Sequence, residues 1–392
     1  MKIHWAGLII MAVLCIAMDV FICRRLKRTG YRWSSRFNGA LAILATALVA
    51  AVTLMPLSSA STSNSTFVTG QYMLYTFFAI LTPIALGMLI YGIGRWLKQR
   101  WMTIIAFIVA ALVFGVMWWG AIVTPGKIEI KEVELAFERL PDAFDGYRIV
   151  QWTDTHLGTY NGHTAIVEKQ IKAINDLHPD MICFTGDLVS RKTDEAIPYR
   201  HMLAQLHAPD GVFSVLGNHD YDNYVQWDNE KAKTDDRKAL CDLQQEVGWR
   251  LLNDDYAIVK RGDDQIVIIG TENYGDHPYE KRGNLAKAYS GLNDGNFKIQ
   301  LQHNPYAWRA NTLTNSNIDL MLAGHTHAWQ IMLQIGNWRW SPACLRYPEW
   351  GGAYNEGDRW LYVSIGTGMV GTPMRIGATP EITVITLKKK SP

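Results

Sequence analysis

The chain has 392 residues, and its 38 Lys and Arg nearly balance its 36 Asp and Glu, which gives a formal net charge of +2. Such a balance provides no bulk electrostatic attraction for nucleic acid, so no nucleic-acid partner is predicted. Five cysteines without a Cys-x-x-Cys pair are too few for a disulfide framework, although pairing of Cys241 with Cys344 stays open.

The first third of the chain contains four apolar segments that are long enough to span a bilayer. They lie at residues 3–22, 37–57, 72–94 and 101–123. The first is interpreted as a membrane helix and not as a signal peptide, because no small-residue cleavage site follows it. We therefore predict a four-helix transmembrane region over residues 1–124 and a separate domain over residues 125–392.

Basic residues in the short loops predict the orientation of these helices. The first loop carries six Lys and Arg between positions 24 and 36, and the third carries three between positions 95 and 100. The loop between them, residues 58–71, carries no charged residue. The basic loops are expected in the cytoplasm, which predicts a multi-pass protein of the cell (inner) membrane with the domain of residues 125–392 in an extracytoplasmic position.

Apolar runs alternate with amphipathic segments after the Pro125-Gly126 break. Strands are predicted at residues 127–137, 146–152, 181–184, 211–215, 257–260, 265–269, 298–301, 318–322, 360–365 and 381–387. Helices are predicted at residues 164–177, 198–206 and 231–247. Strands that alternate with helices early and dominate later indicate a mixed α/β domain with two sheets packed face to face.

Polar side chains follow five of these strands at the point where each strand ends. They are Asp154 with His156, Asp187, Asn218 with His219 and Asp220, His303, and His325 with His327. Taken singly, each set has a structural explanation as a helix cap, a turn or a surface histidine. Five sets at the edge where α/β sheets bind ligands instead favour a site. Oxygen and nitrogen ligands without thiolates suit two divalent cations such as Mn²⁺, Fe²⁺, Zn²⁺ or Ni²⁺.

These residue types fit metal-assisted hydrolysis of a phosphate ester. A bridging carboxylate holds two cations ~3.5–4 Å apart, and the water between them ionises near neutral pH. Imidazoles add affinity without the negative charge that would repel a phosphate. On extended backbone, Asp-x-His and His-x-His direct alternate side chains to one side, so each motif can supply two ligands.

The same motifs, in the same order, resemble those of the calcineurin-like metallophosphoesterase superfamily. They read Asp154-Thr155-His156, Gly186-Asp187, Gly217-Asn218-His219-Asp220, His303 and Gly324-His325-Thr326-His327. The membrane segments and the tail at residues 363–368 and 380–382 are similar to a bacterial membrane-associated branch with YkuE-like and YaeI-like proteins. One departure is Ala328-Trp329-Gln330, where that branch usually has Gly-Gly-Gln, and Trp329 is expected to reshape the pocket mouth.

The resemblance implies a four-layer α/β/β/α sandwich and a metal-dependent phosphoric ester hydrolase with two divalent metal ions. It implies one set of ligands for each metal: Asp154, His156 and His327 for the first, and Asn218, His303 and His325 for the second. Asp187 would bridge the two metals. His219 would face the substrate, to stabilise the phosphorane or protonate the leaving oxygen, and Asp220 would orient the His219 ring.

Residues 335–360 bear on the substrate, because four tryptophans (338, 340, 350 and 360) alternate there with Arg339, Arg346 and Arg359. Two interpretations are open, an irregular flap that packs on the core and an amphipathic surface near lipid head groups. With the membrane tether, the second predicts a membrane lipid or envelope metabolite as the phosphate-ester substrate. A metal-bridging hydroxide would cleave its phosphomonoester, phosphodiester or pyrophosphate bond.

Two other classes of function remain open. One is a cytoplasm-facing pyrophosphatase of a lipid precursor, of the UDP-diacylglucosamine type, which requires the opposite topology. The other is a non-catalytic metal-binding membrane sensor. His219 and Asp220 argue against the sensor, because a site without turnover does not need a catalytic acid pair. The sequence specifies neither the metal nor the oligomeric state.

Overall fold

The computed structural model describes residues 20, 24, 32–277, 279, 281–336 and 338–390. The chain divides into two compact units. The first comprises Met1–Val123 with Gly371–Met374, and the second comprises Thr124–Val370 with Arg375–Pro392. All strands among the described residues belong to the second unit.

The described part of the first unit is helical. Its helices are α1 (Arg32–Leu54), α2 (Asn64–Trp96) and α3 (Met102–Ile122). The Ser63 side chain caps α2 by accepting a hydrogen bond from the backbone N–H of Thr66 at 3.1 Å, which satisfies one of the free amides of the first turn.

Two helices in the described part of the chain are long and apolar enough to cross a membrane, where the sequence predicted four spans. They cover Asn64–Trp96 and Met102–Gly126 and match the predicted segments 72–94 and 101–123. The apolar stretch of α1, Gly39–Leu54, has fewer than 18 residues. At 1.5 Å per residue it spans roughly 24 Å, short of a ~30 Å hydrocarbon core. Apart from residue 20, the predicted segment 3–22 lies outside the described residues.

Two six-stranded sheets form the framework of the second unit. The first has the order β1 (Glu129–Phe137), β14 (Glu381–Lys389), β2 (Arg148–Trp152), β3 (Met181–Phe184), β4 (Val212–Ser214) and β5 (Arg250–Leu251). β14 is parallel to β1 and antiparallel to β2, and the strands from β2 to β5 are parallel. The carboxyl ends of β2, β3 and β4 therefore meet at one edge.

The second sheet also contains parallel strands at its centre. Its order is β12 (Gly352–Glu356), β13 (Arg359–Val363), β9 (Leu320–Ala323), β8 (Phe297–Leu301), β7 (Asp264–Gly270) and β6 (Asp255–Arg261). β8 and β9 are parallel, so their carboxyl ends also lie side by side. A separate two-stranded ribbon consists of β10 (Leu333–Ile335) and β11 (Trp338–Trp340).

The two sheets pack face to face, and helices lie on the outer faces of both. Buried side chains of both sheets, among them Ile149 and Ile268, share one apolar cluster. The helices are α4 (Thr164–Asp176), α5 (Arg200–Leu203), α6 (Glu230–Glu246), α7 (Leu285–Tyr289) and α8 (Leu313–Asn315). α4 packs on the first sheet through Val167, Ile171 and Ile174, which share one helical face. The predicted mixed α/β fold with two facing sheets is confirmed.

Some predicted elements are shorter than expected, and others were missed. The helix predicted over residues 198–206 reduces to α5 and a preceding 3₁₀ turn, Ile197–Tyr199. Strands β5, β10, β11 and β12 were not predicted. Cys241 and Cys344 are both free, so the disulfide that the sequence left open is not formed.

Candidate metal centre

The five polar sets lie at the carboxyl ends of β2, β3, β4, β8 and β9, as the sequence predicted. Six of their side chains form two groups, Asp154 with His156 and His327, and Asp187 with His303 and His325. Within each group the ligand atoms all lie within 4.8 Å of one another. Each group combines residues from both sheets, so the centre forms only when the sheets are packed together.

The first group is fully enclosed. The Nε2 atom of His327 lies 3.0 Å from Oδ1 of Asp154 and 3.1 Å from Nε2 of His156. All three side chains are buried. Three ligand atoms that converge at such distances, inside the protein, suit a small cation.

The second group is joined to the first by one carboxylate oxygen. Oδ2 of Asp187 lies 3.2 Å from Nε2 of His303 and 3.5 Å from Nε2 of His156. Nδ1 of His325 lies 3.3 Å from the same His303 nitrogen. Asp187 thus contacts one residue from each group, which is the position that a bridging ligand requires.

The hydrogen bonding of the Asn218 side chain indicates whether the centre fits a cation. Its Nδ2 donates a hydrogen bond to the Tyr224 hydroxyl at 2.6 Å. Its Oδ1 is buried and has no hydrogen-bond partner among the described residues. A buried carbonyl oxygen without a donor costs roughly 1–3 kcal/mol, and a cation would remove that cost. The residues present therefore fit a divalent metal pair.

The imidazoles of His303 and His327 each have a polar partner for Nδ1 outside the two groups. Nδ1 of His303 donates to the backbone carbonyl of Thr185 at 2.8 Å, which leaves Nε2 as the nitrogen that faces Asp187. Nδ1 of His327 lies 3.0 Å from Nη2 of Arg375, a fully buried residue that the sequence did not suggest. Arg375 also donates to three backbone carbonyls, those of Ile365, Gly368 and Ala378.

The ligands occupy an unusual backbone conformation. The residues with positive φ include Asp154 (53°), His156 (43°), Asp187 (59°), His325 (73°) and His327 (49°). For residues other than glycine this left-handed region costs roughly 1–2 kcal/mol per residue, and such strain clusters at functional sites. The prediction that Asp-x-His and His-x-His use extended backbone is therefore wrong, because left-handed turns direct these side chains inward.

Two glycines of the motifs are explained by close approach. A Cβ atom on Gly217 would lie 2.1 Å from Oδ1 of Asp187, and one on Gly324 would lie 2.1 Å from Oδ2 of Asp154. Real Cβ atoms do not tolerate such contacts. Glycine at these positions lets each carboxylate lie directly against the neighbouring loop.

His219 lies beside the two groups and is only partly buried. Its Nδ1 donates to the backbone carbonyl of Ser190 at 2.7 Å, and its ring meets that of His156 edge-on with centroids 4.8 Å apart. Because Nδ1 is engaged, Nε2 is the nitrogen left for a substrate. Burial lowers the pKa of the His219 imidazole.

The prediction that Asp220 orients the His219 ring is wrong. The Asp220 carboxylate accepts hydrogen bonds from the backbone N–H groups of Asp187 (2.8 Å), Gly217 (2.9 Å) and Val189 (3.2 Å). The carboxylate turns away from the imidazole because these amides need an acceptor inside the protein. Asp220 thus fixes the loop that carries Asp187, and the Ser190 carbonyl orients His219.

Charges within the centre are mutually compensating. Burial alone would raise the pKa of Asp154, but His327 and His303 lower it below its ordinary value. Burial lowers the pKa of His303, but Asp187 and Asp154 outweigh burial and raise it to about 9. A proton on His303 therefore balances the carboxylates, and a bound cation would displace it.

Aromatic side chains frame the open side at His325. The Tyr347 hydroxyl lies 2.9 Å from Nε2 of His325, and the Tyr279 ring meets that imidazole edge-on with centroids 4.7 Å apart. The Arg346 guanidinium lies 5.4 Å from the Tyr279 centroid and 5.6 Å from that of Tyr347. Tyr279 comes from one loop and Arg346 with Tyr347 from another, and of these three residues the sequence had singled out only Arg346.

The tryptophan-rich segment is packed on the core in one part and exposed in another, and its predicted proximity to lipid head groups stays a prediction. Trp350 is buried in an apolar cluster, and Trp360 packs half-buried against the core. Trp338 and Trp340 are exposed. The segment is thus a flap on the core at one end and an exposed aromatic surface at the other.

Two ligand groups that share a carboxylate, at the edge of facing α/β sheets, define a candidate dinuclear metallohydrolase. Residues 147–329 match the family model described as calcineurin-like phosphoesterase. YkuE of Bacillus subtilis (strain 168), an uncharacterized metallophosphoesterase, is 33% identical over 274 residues, which cover 67% of this chain and 87% of that protein. The chain belongs to the calcineurin-like phosphoesterases, within their YkuE-like branch.

Two further relatives carry informative names. A transmembrane protein with a metallophosphoesterase domain from Danio rerio is 29% identical and covers 73% of this chain, which spans 63% of that protein's length. The UDP-2,3-diacylglucosamine pyrophosphatase LpxG of Chlamydia trachomatis is 27% identical and covers 55% of this chain and 74% of its own length.

Proposed function

We propose that this protein is a membrane-anchored, metal-dependent phosphoesterase that hydrolyses a phosphate ester or pyrophosphate bond in a membrane lipid or an envelope metabolite. The observation that carries the proposal is the contact of Asp187 Oδ2 with both His156 and His303. Residues 1–124 would anchor the chain, and residues 125–392 would form the catalytic domain. The basic loops support an extracytoplasmic catalytic domain.

Each metal would have three ligands of its own. The first would be held by Asp154, His156 and His327, and the second by Asn218, His303 and His325. Asp187 would bridge them. When bound, two divalent ions supply Lewis acidity toward the phosphoryl oxygens and activate a water molecule. The orphan Oδ1 of Asn218 supports its place in the second set.

His219 would act on the substrate directly. With Nδ1 held by the Ser190 carbonyl, Nε2 is available to stabilise charge on the transferring phosphoryl group or to protonate the leaving oxygen. Asp220 would hold the Asp187 loop, and Tyr224 would fix the plane of the imidazole. The rest of the substrate would meet the Tyr279 side of the centre.

The test uses the full chain in detergent, stripped of metal and reloaded with Mn²⁺, Zn²⁺, Ni²⁺ or Mg²⁺. Hydrolysis of p-nitrophenyl phosphate and bis-p-nitrophenyl phosphate is measured beside the variants Asp187→Asn and His219→Ala. We expect metal-dependent hydrolysis that falls at least 100-fold in both variants, with two metals per wild-type chain. Absence of hydrolysis with every metal, on these esters and on phospholipids in vesicles, would refute the enzyme.

A second candidate is a pyrophosphatase of a UDP-linked lipid precursor, which the similarity to LpxG favours. Such a precursor joins a nucleotide to acyl chains, and the rings of Tyr279 and Tyr347 beside Arg346 suit a base and its phosphates. This function predicts a cytoplasmic domain. Reporter fusions after Thr124 distinguish the two candidates, because an extracytoplasmic position excludes a substrate confined to the cytoplasm.

A further inference from the structure

The ribbon of β10 and β11 has one entirely apolar face. Its register pairs Leu333 with Trp340 and Ile335 with Trp338, and Gln334 with Arg339 between them. Side chains directly opposite each other in an antiparallel pair lie on the same face, and faces alternate along each strand. One face therefore consists of Leu333, Ile335, Trp338 and Trp340, and it is called the apolar ribbon face below.

The apolar ribbon face is turned toward solvent. Its side chains are 51% (Leu333), 76% (Ile335), 55% (Trp338) and 37% (Trp340) exposed. On the opposite face, Nη2 of Arg339 donates to the Gly351 carbonyl at 3.3 Å, and its guanidinium lies 5.7 Å from the Trp350 ring centroid. Arg339 thus contacts the domain from the polar face, while Arg339 and Gln334 both remain exposed.

Trp329 adds a second, independent observation at the base of the ribbon. It is 47% exposed and has a left-handed backbone (φ 45°), between Ala328 (51°) and Gln330 (61°). The Ser341 hydroxyl, directly after β11, donates to the Ala328 carbonyl at 2.5 Å and ties this turn to the ribbon. A bulky side chain kept exposed on strained backbone indicates a function for that side chain.

We propose that the apolar ribbon face, with Trp329, inserts into the interfacial region of a lipid bilayer. The face carries no charged side chain, and tryptophan is the residue that membrane interfaces favour. The second unit begins at Thr124, two residues after the apolar helix α3 ends at Ile122, so the chain itself joins this domain to a membrane-type segment. A lipid surface is therefore the apolar phase that the face meets.

The surface is close in sequence to residues of the candidate metal centre, and the link between the two rests on the proposed function. Trp329 is separated from the ligand His327 by one residue. Leu345, 79% exposed, is separated by one residue from Tyr347, whose hydroxyl contacts His325. Insertion of the ribbon would place the phosphate of a lipid head group beside the centre while its acyl chains stay in the bilayer. The substrate class is accordingly a phospholipid or another lipid phosphate.

The experiment places a fluorophore on the ribbon of the full chain. A single cysteine is introduced as Ile335→Cys in a background that lacks the five native cysteines, labelled with an environment-sensitive dye, and reconstituted into phosphatidylcholine–phosphatidylglycerol nanodiscs with doxyl lipid. Gln334→Cys is the matched control on the opposite face. Ile258→Cys, an exposed position on β6, is the remote control. Leu333→Cys repeats the measurement on the same face should the first variant fail to fold.

We expect doxyl lipid to quench the label at position 335 or 333 at least two-fold, with less quenching at 334 and none at 258. Equal quenching at all positions, or none on the apolar face, would overturn the proposal. Disulfide-linked dimers of the unlabelled Ile335→Cys chain, together with no quenching of the labelled chain, would assign the face to a second copy and also overturn the proposal. Quenching does not depend on turnover, so quenching without ester hydrolysis supports the surface and refutes the enzyme. Ester hydrolysis without quenching supports the enzyme and overturns the proposed membrane surface.

Discussion

The imidazole of His219 lies flat against the phenol ring of Tyr224, with ring centroids 3.8 Å apart and an angle of 4° between the planes. The Tyr224 hydroxyl also accepts the hydrogen bond from Nδ2 of Asn218. A single tyrosine thus orients a proposed metal ligand and the proposed substrate-facing histidine. Both functions of the side chain can be separated by substitution.

Tyr224→Phe keeps the stacking and loses the hydrogen bond, whereas Tyr224→Leu loses both. For Tyr224→Phe we expect roughly 10-fold weaker binding of the second metal, because outer partners of metal ligands contribute 10–100-fold to affinity. For Tyr224→Leu we expect an additional fall in kcat of about 10-fold at saturating metal, because the imidazole loses its fixed plane. Metal titration and steady-state kinetics measure the two effects. Tyr256→Leu, on β6, is the control, and wild-type kcat in Tyr224→Leu would contradict the role.

Arg375 is expected to be essential for stability despite the absence of a carboxylate among its hydrogen-bond partners. Arg375→Met leaves three buried carbonyls without their donor, and we expect a loss of about 3 kcal/mol in the free energy of unfolding. Arg200, which is exposed and pairs with the exposed Glu246, is the matched control. Arg200→Met should cost less than ~1 kcal/mol. Thermal unfolding of the detergent-solubilised chain compares them, and equal melting temperatures would refute this account.

Asp222 provides a pH-dependent prediction. It is fully buried and has a left-handed backbone conformation (φ 60°). Burial is the main cause that raises the pKa of the Asp222 carboxyl to about 8, and the negative charge of the neighbouring Asp236 is the second. The folded protein therefore keeps a proton that the unfolded chain has released above its ordinary pKa near 4. Stability from this group is complete at low pH and is lost as pH rises toward 8.

Asp222→Asn removes this proton equilibrium, and asparagine tolerates left-handed backbone. We expect the variant to match the wild type near pH 4 and to exceed its stability by up to about 5 kcal/mol above pH 8. Melting temperatures across this range measure the difference. Asp263→Asn, in the exposed turn between β6 and β7, should give no such trend. If the stability gain of Asp222→Asn over the wild type shrank as pH rises, the prediction would be contradicted.

Trp329 is expected to tolerate glycine. A left-handed backbone costs a bulky residue roughly 1–2 kcal/mol, which offsets the extra flexibility that glycine adds to the unfolded chain. Trp329→Gly should therefore leave the melting temperature within about 2 °C of the wild type. Trp338→Gly, in β11, should instead speed hydrogen exchange of the ribbon amides, because glycine weakens a strand. Faster exchange of the ribbon in Trp329→Gly would contradict this reasoning.

The strand ends could be predicted because the sequence marks them twice. A short apolar run followed by polar residues, as before Asp154 and Asp187, indicates both a buried strand and the edge where the strand stops. Parallel pairing then brings these edges together without further information. The two facing sheets followed from the same alternation of strands and helices.

The remaining features depend on contacts that a linear pattern does not encode. The Ser190 carbonyl that holds His219 is a backbone atom, so residue type carries no information about it. The positive φ values of the candidate ligands occur where loops of both sheets pack together, for example Gly324 against Asp154. The alternation in β10 and β11 is visible in the sequence. Only the register shows that the apolar side chains share one face, and only their exposure shows that this face points outward.

The place of β14 in the first sheet has a consequence for synthesis of the protein. β14, made of Glu381–Lys389, lies between β1 and β2, which are among the first strands of the domain to leave the ribosome. Until residues 381–389 emerge, β1 has no neighbour, and the edge of β2 stays unpaired. The first sheet therefore stays incomplete while almost all of the domain has already been synthesised, and the nascent chain exposes two open edges to chaperones until β14 follows.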